Sequence, residues 1–167
     1  MIYIALISNK FTGSIPSDIG KLVALNHISL RRNRFHGSVP ASFSACQNLT
    51  QIRLDNNSFT GTLPSSLSTI PNLQMLTASN NRLVGNLYHV LNTSLQRGLQ
   101  YFDVSSNQLT GTVPAYLFNS PQLIVMSLTQ NCFEGSIPAT ICESSALQVL
   151  ILNGLNTLLL MGCKYLI

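Results

Sequence analysis

Residues 49–64 read LTQIRLDNNSFTGTLP, and this stretch decides the fold. At its centre, Ile52-Arg53-Leu54 alternates apolar and polar side chains, as a half-buried β-strand does. Asn57 follows the strand, Gly61 permits a tight turn with a positive φ, and Pro64 fixes φ and ends strand pairing. The stretch therefore predicts a short strand, a sharp turn and a return leg. Such a unit cannot bury its apolar side alone, so neighbouring units must stack.

The same pattern recurs along the chain with a nearly constant period. The string Asn-x-[Phe/Leu]-x-Gly-x-[Ile/Val/Leu]-Pro begins at Asn9, Asn33, Asn57, Asn107 and Asn131 and has a variant at Asn81, so the spacings are 24, 24, 24, 26 and 24 residues. The apolar starts of the units fall at Met1, Leu25, Leu49, Leu73, Leu99, Leu123 and Leu147. A period of this length is typical of a stacked repeat protein. We expect about six full repeats and a partial one in residues 1–152, followed by an irregular apolar tail in residues 153–167.

The recurring asparagines predict a structural ladder. An asparagine side chain has two donors and an acceptor, so it can satisfy backbone groups that a turn leaves unpaired. We expect these side chains to be buried and bonded to the backbone, at Asn9, Asn33, Asn57, Asn81, Asn107 and Asn131. The return leg of each unit has room only for a short helical or 3-10 turn.

The combined pattern L-x-x-L-x-L-x-x-N-x-L-x-G-x-I-P resembles the plant-type leucine-rich repeat of receptor-like kinases, receptor-like proteins and polygalacturonase-inhibiting proteins. The resemblance covers residues 1 to about 152. It implies an α/β solenoid, namely a right-handed superhelix with a parallel β-sheet on its concave face and short 3-10 or helical turns on its convex face. It also implies an extracellular role in recognition, and the chain looks like a fragment of a larger ectodomain.

Composition and charge argue against several other classes of protein. The chain has nine Lys or Arg and five Asp or Glu among 167 residues, with no basic run beyond Arg31-Arg32, so nucleic acid is not an expected partner. No apolar stretch approaches the ~18 residues that a membrane span needs. The apolar segment at residues 1–7 lacks the basic region of a signal peptide and matches the repeat, so we interpret it as part of the first unit.

The titratable residues predict neither catalysis nor a metal site. The three histidines fall at different phases of the repeat, the four cysteines form no C-x-x-C pair, and the five acids are dispersed. We therefore expect a non-catalytic protein without a cofactor or a metal ion.

Stacked strands would align their solvent-facing residues in columns across the concave sheet. The candidates for ligand binding are polar or aromatic residues at these positions, namely His27, Arg31, Arg32, Arg53, Asp55, Tyr101 and Asp103. Arginine can contact a carboxylate or sulfate with two hydrogen bonds, and tyrosine offers a broad anchor. Alternatively, Arg31 and Asp55 pair with each other as a surface salt bridge.

Three N-x-[ST] sequons, at Asn48, Asn56 and Asn92, are candidates for glycosylation. A glycan on Asn56 would obstruct the concave groove, whereas Asn92 lies in the irregular fourth unit.

Two functions fit the sequence. The first is a recognition module of a cell-surface receptor-like protein that binds a peptide or protein ligand on the concave face, with a possible co-receptor. The alternative is a soluble inhibitor or scaffold-type interaction protein of the polygalacturonase-inhibitor kind. In either case we expect an extracellular or cell-surface location, with any membrane attachment supplied by parts absent from this chain.

Overall fold

The large parallel β-sheet is built from the first strand of every repeat. The computed structural model describes residues 1–153, which include the seven strands of this sheet. The strands are paired in the order in which they occur in the chain, so each one lies beside the strand of the next repeat. They are β1 (Ile2–Ala5), β3 (Leu25–Ser29), β5 (Gln51–Arg53), β7 (Met75–Thr77), β9 (Tyr101–Asp103), β11 (Val125–Ser127) and β13 (Val149–Ile151). The solenoid of stacked parallel strands is confirmed, and the tail predicted for residues 153–167 lies outside the described residues except for Asn153.

A second parallel sheet, which we did not expect from the sequence, follows the turn in each repeat. It has six strands within the described residues, each two to five residues long. These strands are β2 (Thr12–Gly13), β4 (Arg34–Ser38), β6 (Ser58–Gly61), β8 (Arg82–Gly85), β10 (Gln108–Thr112) and β12 (Cys132–Glu134). Gly85 in β8 has a φ of +84°, and a Cβ atom there would lie 2.7 Å from Cγ2 of Thr62, so glycine relieves both constraints.

Short 3-10 helices form the return legs, as the lengths of these segments predict. Each begins directly after the proline of the repeat, where the extended backbone with a fixed φ turns into the helix. They span Ser17–Lys21, Ala41–Ala45, Ser65–Thr69, Ala115–Asn119 and Ala139–Glu143. The fourth repeat, which lacks this proline, forms turns in place of the 3-10 helix.

The core runs through the centre of the stacked coils. Inward side chains of the large sheet, such as Ile28, Ile52 and Phe102, are at most 2% exposed. The rings of Phe35 and Phe59, one repeat apart, stack with their centroids 6.3 Å apart. Each coil therefore buries its apolar side against its neighbours instead of forming a core of its own.

The asparagine ladder joins neighbouring coils, and Asn57 shows its geometry. Its Nδ2 donates to the carbonyl oxygens of Leu54 at 3.0 Å and Asp55 at 3.2 Å in its own repeat, and to that of Leu30 at 2.9 Å in the preceding repeat. Its Oδ1 accepts the backbone N–H of Phe35 at 3.0 Å. Equivalent sets of four bonds are made at Asn33, Asn81, Asn107 and Asn131.

Burial of the ladder is less complete than we expected. Asn107 and Asn131 are buried, whereas the side chains at positions 33, 57 and 81 are half-buried. Asn9 is exposed and donates only to the carbonyls of Leu6 and Ile7, because it lies in the first coil and has a neighbouring coil on one side. Hydrogen bonding rather than complete burial therefore fixes these side chains.

Replacing Asn57 by Ala should lower the free energy of unfolding by about 1 to 3 kcal/mol, because carbonyl groups and one N–H would lose their partner. Chemical denaturation measures this change. Asn119→Ala is the matched control, because Asn119 is exposed and its side chain makes no hydrogen bond to the described residues. Equal stability of the two variants would show that the ladder does not stabilise the solenoid.

Candidate functional site

The solvent-facing side of the large sheet, which we call the sheet face, carries residues aligned from repeat to repeat. One column of paired residues runs through Tyr3, His27, Gln51, Met75, Tyr101, Val125 and Val149. The next runs through Ala5, Ser29, Arg53, Thr77, Asp103, Ser127 and Ile151. For residues 27 to 127 these are the columns that the repeat period predicts.

A depression of about 300 Å³ lies on the sheet face and draws its walls from four consecutive repeats. It is lined by four of the residues that the sequence selects, Arg31, Arg53, Asp55 and Asp103. The other four lining residues, Asn56, Met75, Thr77 and Ser79, were not among the expected ligand contacts, although Asn56 was a glycosylation candidate. Their positions in the repeat predict that Met75, Thr77 and Ser79 face solvent. Their residue types did not distinguish them from other solvent-facing residues.

Asp55 is the most extensively bonded residue of this depression. Its Oδ1 accepts the backbone N–H of Ser79 at 3.2 Å and the hydroxyl of Ser79 at 3.1 Å, and its Oδ2 accepts the hydroxyl of Thr77 at 2.7 Å. The residue is 6% exposed. Asp55 was expected among the ligand contacts, but in this structure its carboxylate is occupied by neighbouring residues.

Arg31 forms an ion pair with this carboxylate. Its Nε lies 3.3 Å from Oδ2 of Asp55, with 34% of the arginine side chain and 9% of the aspartate side chain exposed. The Nε–H does not align with the oxygen and makes no hydrogen bond to any of residues 1–153. The pair predicted from the sequence is thus present, but with a largely buried partner it differs from an ordinary surface salt bridge.

Arg53 and Asp103 lie in one column on the other side of the depression. Nε of Arg53 donates to Sδ of Met75 at 3.0 Å, which orients the guanidinium group along the sheet. Asp103 Oδ1 accepts the backbone N–H of Ser105 at 2.9 Å and its hydroxyl at 2.6 Å. Both carboxylates thus accept hydrogen bonds from serine residues. The guanidinium groups of the two arginines still have N–H donors that a partner could use.

His27 lies on β3 outside the depression. Its ring stacks on Tyr3 with the centroids 4.5 Å apart, and its Nε2 lies 3.4 Å from Oγ1 of Thr50. Burial and the nearby charge of Arg53 lower the pKa of His27 from its ordinary value. Nδ1 of His27 and Oγ of Ser29 are buried without a hydrogen-bond partner in the described part of the chain.

Arg32 and Tyr101 do not line the depression, although Tyr101 pairs in register with Met75, which does. Arg32 is exposed in the turn after β3 and has a φ of +55°, like the residue before the ladder asparagine in other repeats. Tyr101 begins β9 and is 36% exposed. They extend the polar and aromatic surface beyond the depression.

Among residues 1–153, no group of three or more His, Cys, Asp or Glu side chains could hold a metal ion. Within the same residues, no helix has the length and apolar character needed to span a membrane.

Comparison with known families identifies the repeat. The family profile described as "Leucine rich repeat" matches residues 23–83, and a second profile of that description matches residues 98–120. The chain belongs to the leucine-rich repeat family. Its repeats are of the plant type, since they match the ectodomains of plant receptor kinases in sequence pattern and structure. Comparison with curated protein sequences finds no match.

Several solved receptor structures superpose closely on this chain. A TDR receptor has a TM-score of 0.88 at 28% identity, with 93% of this chain and 26% of that chain covered. The receptor kinase GASSHO1/SCHENGEN3 from Arabidopsis thaliana has a TM-score of 0.86 at 28% identity, with 93% and 18% covered. The Arabidopsis receptor kinase HAESA has a TM-score of 0.83 at 27% identity, with 93% and 26% covered. The leucine-rich repeats described here thus span about a quarter or less of the length of these ectodomains.

Asp55→Asn should lower the free energy of unfolding by about 1 to 3 kcal/mol, because the new amide cannot accept from Ser79 and Thr77 and also pair with Arg31. Chemical denaturation tests this, with Glu134→Gln, an exposed residue on β12, as the control. Unchanged stability would show that the carboxylate is free for a ligand.

His27→Phe should make the stability of the protein less dependent on pH. Because the folded pKa of His27 is lowered, the histidine contributes its full stability above about pH 6.5 and loses it as the pH falls through that value and the folded pKa. Phenylalanine keeps a ring against Tyr3 but does not titrate. Melting temperatures at about pH 8 and pH 5 should therefore differ less in the variant, and an equal difference would refute the assignment.

Proposed function

We propose that the chain is the recognition part of a receptor-like protein, and that it binds an extended peptide, or an extended segment of a protein, on the sheet face. The observation that carries this proposal is the depression in which side chains from four consecutive repeats converge. Arg53, Met75 and Thr77 are exposed enough to contribute and occupy no inward position of the coil. The packing of the coil does not require these residue types, so these side chains are free to contact a ligand.

The dimensions of the site suit a peptide. From β3 to β9 the site crosses three gaps between strands, which at about 4.8 Å each make about 14 Å. An extended chain covers this distance in four to five residues at about 3.3 Å each. A depression of about 300 Å³ in the middle of that path accommodates a side chain, a feature that favours a peptide over the flat surface of a folded enzyme. For this reason we prefer peptide recognition to the inhibitor alternative.

The charges of the site favour an acidic group on the partner. Arg31 and Arg53 keep guanidinium N–H groups available, whereas both oxygens of Asp55 and Oδ1 of Asp103 accept bonds from serine or threonine. A carboxylate or sulfate could take two parallel hydrogen bonds from either arginine. Tyr101 then offers an apolar contact further along the sheet face.

Two of the similar receptors form complexes with a partner, which in one case is a peptide hormone. The GASSHO1/SCHENGEN3 structure is a complex with CASPARIAN STRIP INTEGRITY FACTOR 2, and the HAESA structure is a complex with the peptide hormone IDA and the co-receptor SERK1. These complexes support a peptide partner and a possible co-receptor for this chain as well. The same likeness supports an extracellular location as part of a larger membrane receptor.

Arg53→Ala should weaken binding of an acidic peptide about tenfold, because a fully used guanidinium anchor contributes about 1.4 kcal/mol or more. The probe is a peptide selected on the immobilised chain from a random display library and then titrated in solution by calorimetry. Arg82→Ala is the control, because Arg82 is exposed on β8 of the second sheet.

The result expected is a loss of affinity in Arg53→Ala alone, with unchanged melting temperatures in both variants. Equal affinity of the two variants would move the site away from the depression. A library that yields no peptide specific for the chain would count against peptide recognition as a whole.

A further inference from the structure

The fourth repeat departs from the others on the side away from the sheet face. Residues 86–98 there replace the proline step and the 3-10 helix. Gln96 is fully buried and holds this segment, because its Nε2 donates to the carbonyls of Leu67 at 2.8 Å and Ile70 at 3.1 Å. Its Oε1 accepts the backbone N–H of Asn92 at 2.8 Å. The segment is therefore irregular in sequence but tied firmly to the preceding coil.

The side chain of Asn92 has a fixed orientation within this segment. Its Oδ1 accepts the backbone N–H groups of Ser94 at 3.1 Å and Leu95 at 3.2 Å. Its Nδ2 makes no hydrogen bond to the described residues, and Asn92 and Ser94 are both exposed. The oxygen of the side-chain amide is therefore held by the backbone, and its nitrogen is left without a hydrogen bond on an exposed residue.

A second depression, of about 280 Å³, adjoins this asparagine. Besides residues 91–94 it is lined by Ser68, His89 and Tyr116. The Tyr116 hydroxyl donates to the carbonyl of Leu87 at 2.5 Å, and burial raises the pKa of Tyr116 to about 12, so this residue stays neutral. Hydroxyl groups and an imidazole beside an exposed amide nitrogen provide hydrogen-bonding partners for the hydroxyl groups of a sugar.

We propose that Asn92 is the residue of this chain that carries an N-linked glycan, whose first sugar lies against the second depression. In the transfer step Nδ2 forms a bond to C1 of the first sugar of a lipid diphosphate-linked oligosaccharide. The bond from C1 to the diphosphate oxygen breaks, the lipid diphosphate leaves with the electron pair, and one amide proton passes to a base of the transferase. Oδ1 keeps both of its hydrogen bonds, so the product fits the folded chain.

The sequon at Asn48 is less compatible with a glycan in the folded protein, and the sequon at Asn56 is less compatible with the proposed peptide site. Nδ2 of Asn48 donates to the carbonyl of Val23 at 3.1 Å, and the hydroxyl of Thr50, the third residue of that sequon, donates to the carbonyl of Asn26 at 3.2 Å. Asn56 lines the depression on the sheet face, so a glycan there would cover the proposed peptide site. A glycan on Asn92 would disturb neither the contacts between coils nor the sheet face.

The test uses the full chain behind an added signal sequence, expressed in eukaryotic cells and detected in the total cell product and medium. Three variants each remove one sequon without touching its asparagine, Thr50→Ala, Ser58→Ala and Ser94→Ala. Ser94→Ala keeps the backbone N–H that binds Asn92 Oδ1, and Ser94→Thr keeps the sequon as the matched control. Electrophoretic mobility before and after treatment with a glycosidase reads the number of glycans, and peptide mass spectrometry reads the occupancy at each asparagine.

We expect a glycan-dependent mobility shift in the wild type, its loss in Ser94→Ala and its retention in the other three variants. Occupancy should be highest at Asn92. A wild-type chain without a glycan, a shift that survives Ser94→Ala, or higher occupancy at Asn48 or Asn56 would overturn the proposal. Because the added signal sequence imposes the route and no ligand is used, the result is independent of the peptide-binding test of the proposed function.

Discussion

The four hydrogen bonds of each ladder asparagine from Asn33 to Asn131 are the interaction on which the rest of this structure depends. At Asn57 they join the end of β5, through the carbonyls of Leu54 and Asp55, to the preceding coil, through Leu30 and Phe35. Two amide hydrogens serve three carbonyl groups, so one hydrogen is shared and the donor capacity of the side chain is fully used. A longer or shorter side chain could not make this set, which explains why the residue type persists while its neighbours vary.

The candidate site lies on the part of the solenoid that contributes least to its packing. Inward apolar residues and the ladder hold the coils together, so the sheet face contributes little to the packing and its residue types are less constrained. Asp55 is the exception, because its carboxylate orders Thr77, Ser79 and Arg31 around the depression. We interpret it as a positioning residue, which holds the walls of the site, and we interpret Arg53 as a contact residue.

The sequence predicts the features that repeat and misses those that depend on particular side chains. The period places β5, its inward Ile52 and the columns of the sheet face, since every repeat carries the same pattern. The second sheet escapes prediction because a strand such as Thr12–Gly13 is too short to show alternation. The burial of Asp55 also escapes prediction, since it depends on the hydroxyl groups of two particular residues one repeat away, Thr77 and Ser79.

The fourth repeat shows why the two faces of the solenoid can change separately. Its two extra residues leave the sheet intact, because Met75 and Tyr101 still pair in register between β7 and β9. Gln96 makes up for the missing 3-10 helix by bonding to the carbonyls at the end of the preceding one. The side-chain amide of Gln96 therefore compensates for the change on the outer side, and the pairing of strands in the sheet face is unaffected. This arrangement allows a glycan at Asn92 and a peptide on the sheet face to coexist, because neither uses the hydrogen bonds that hold the other's surroundings.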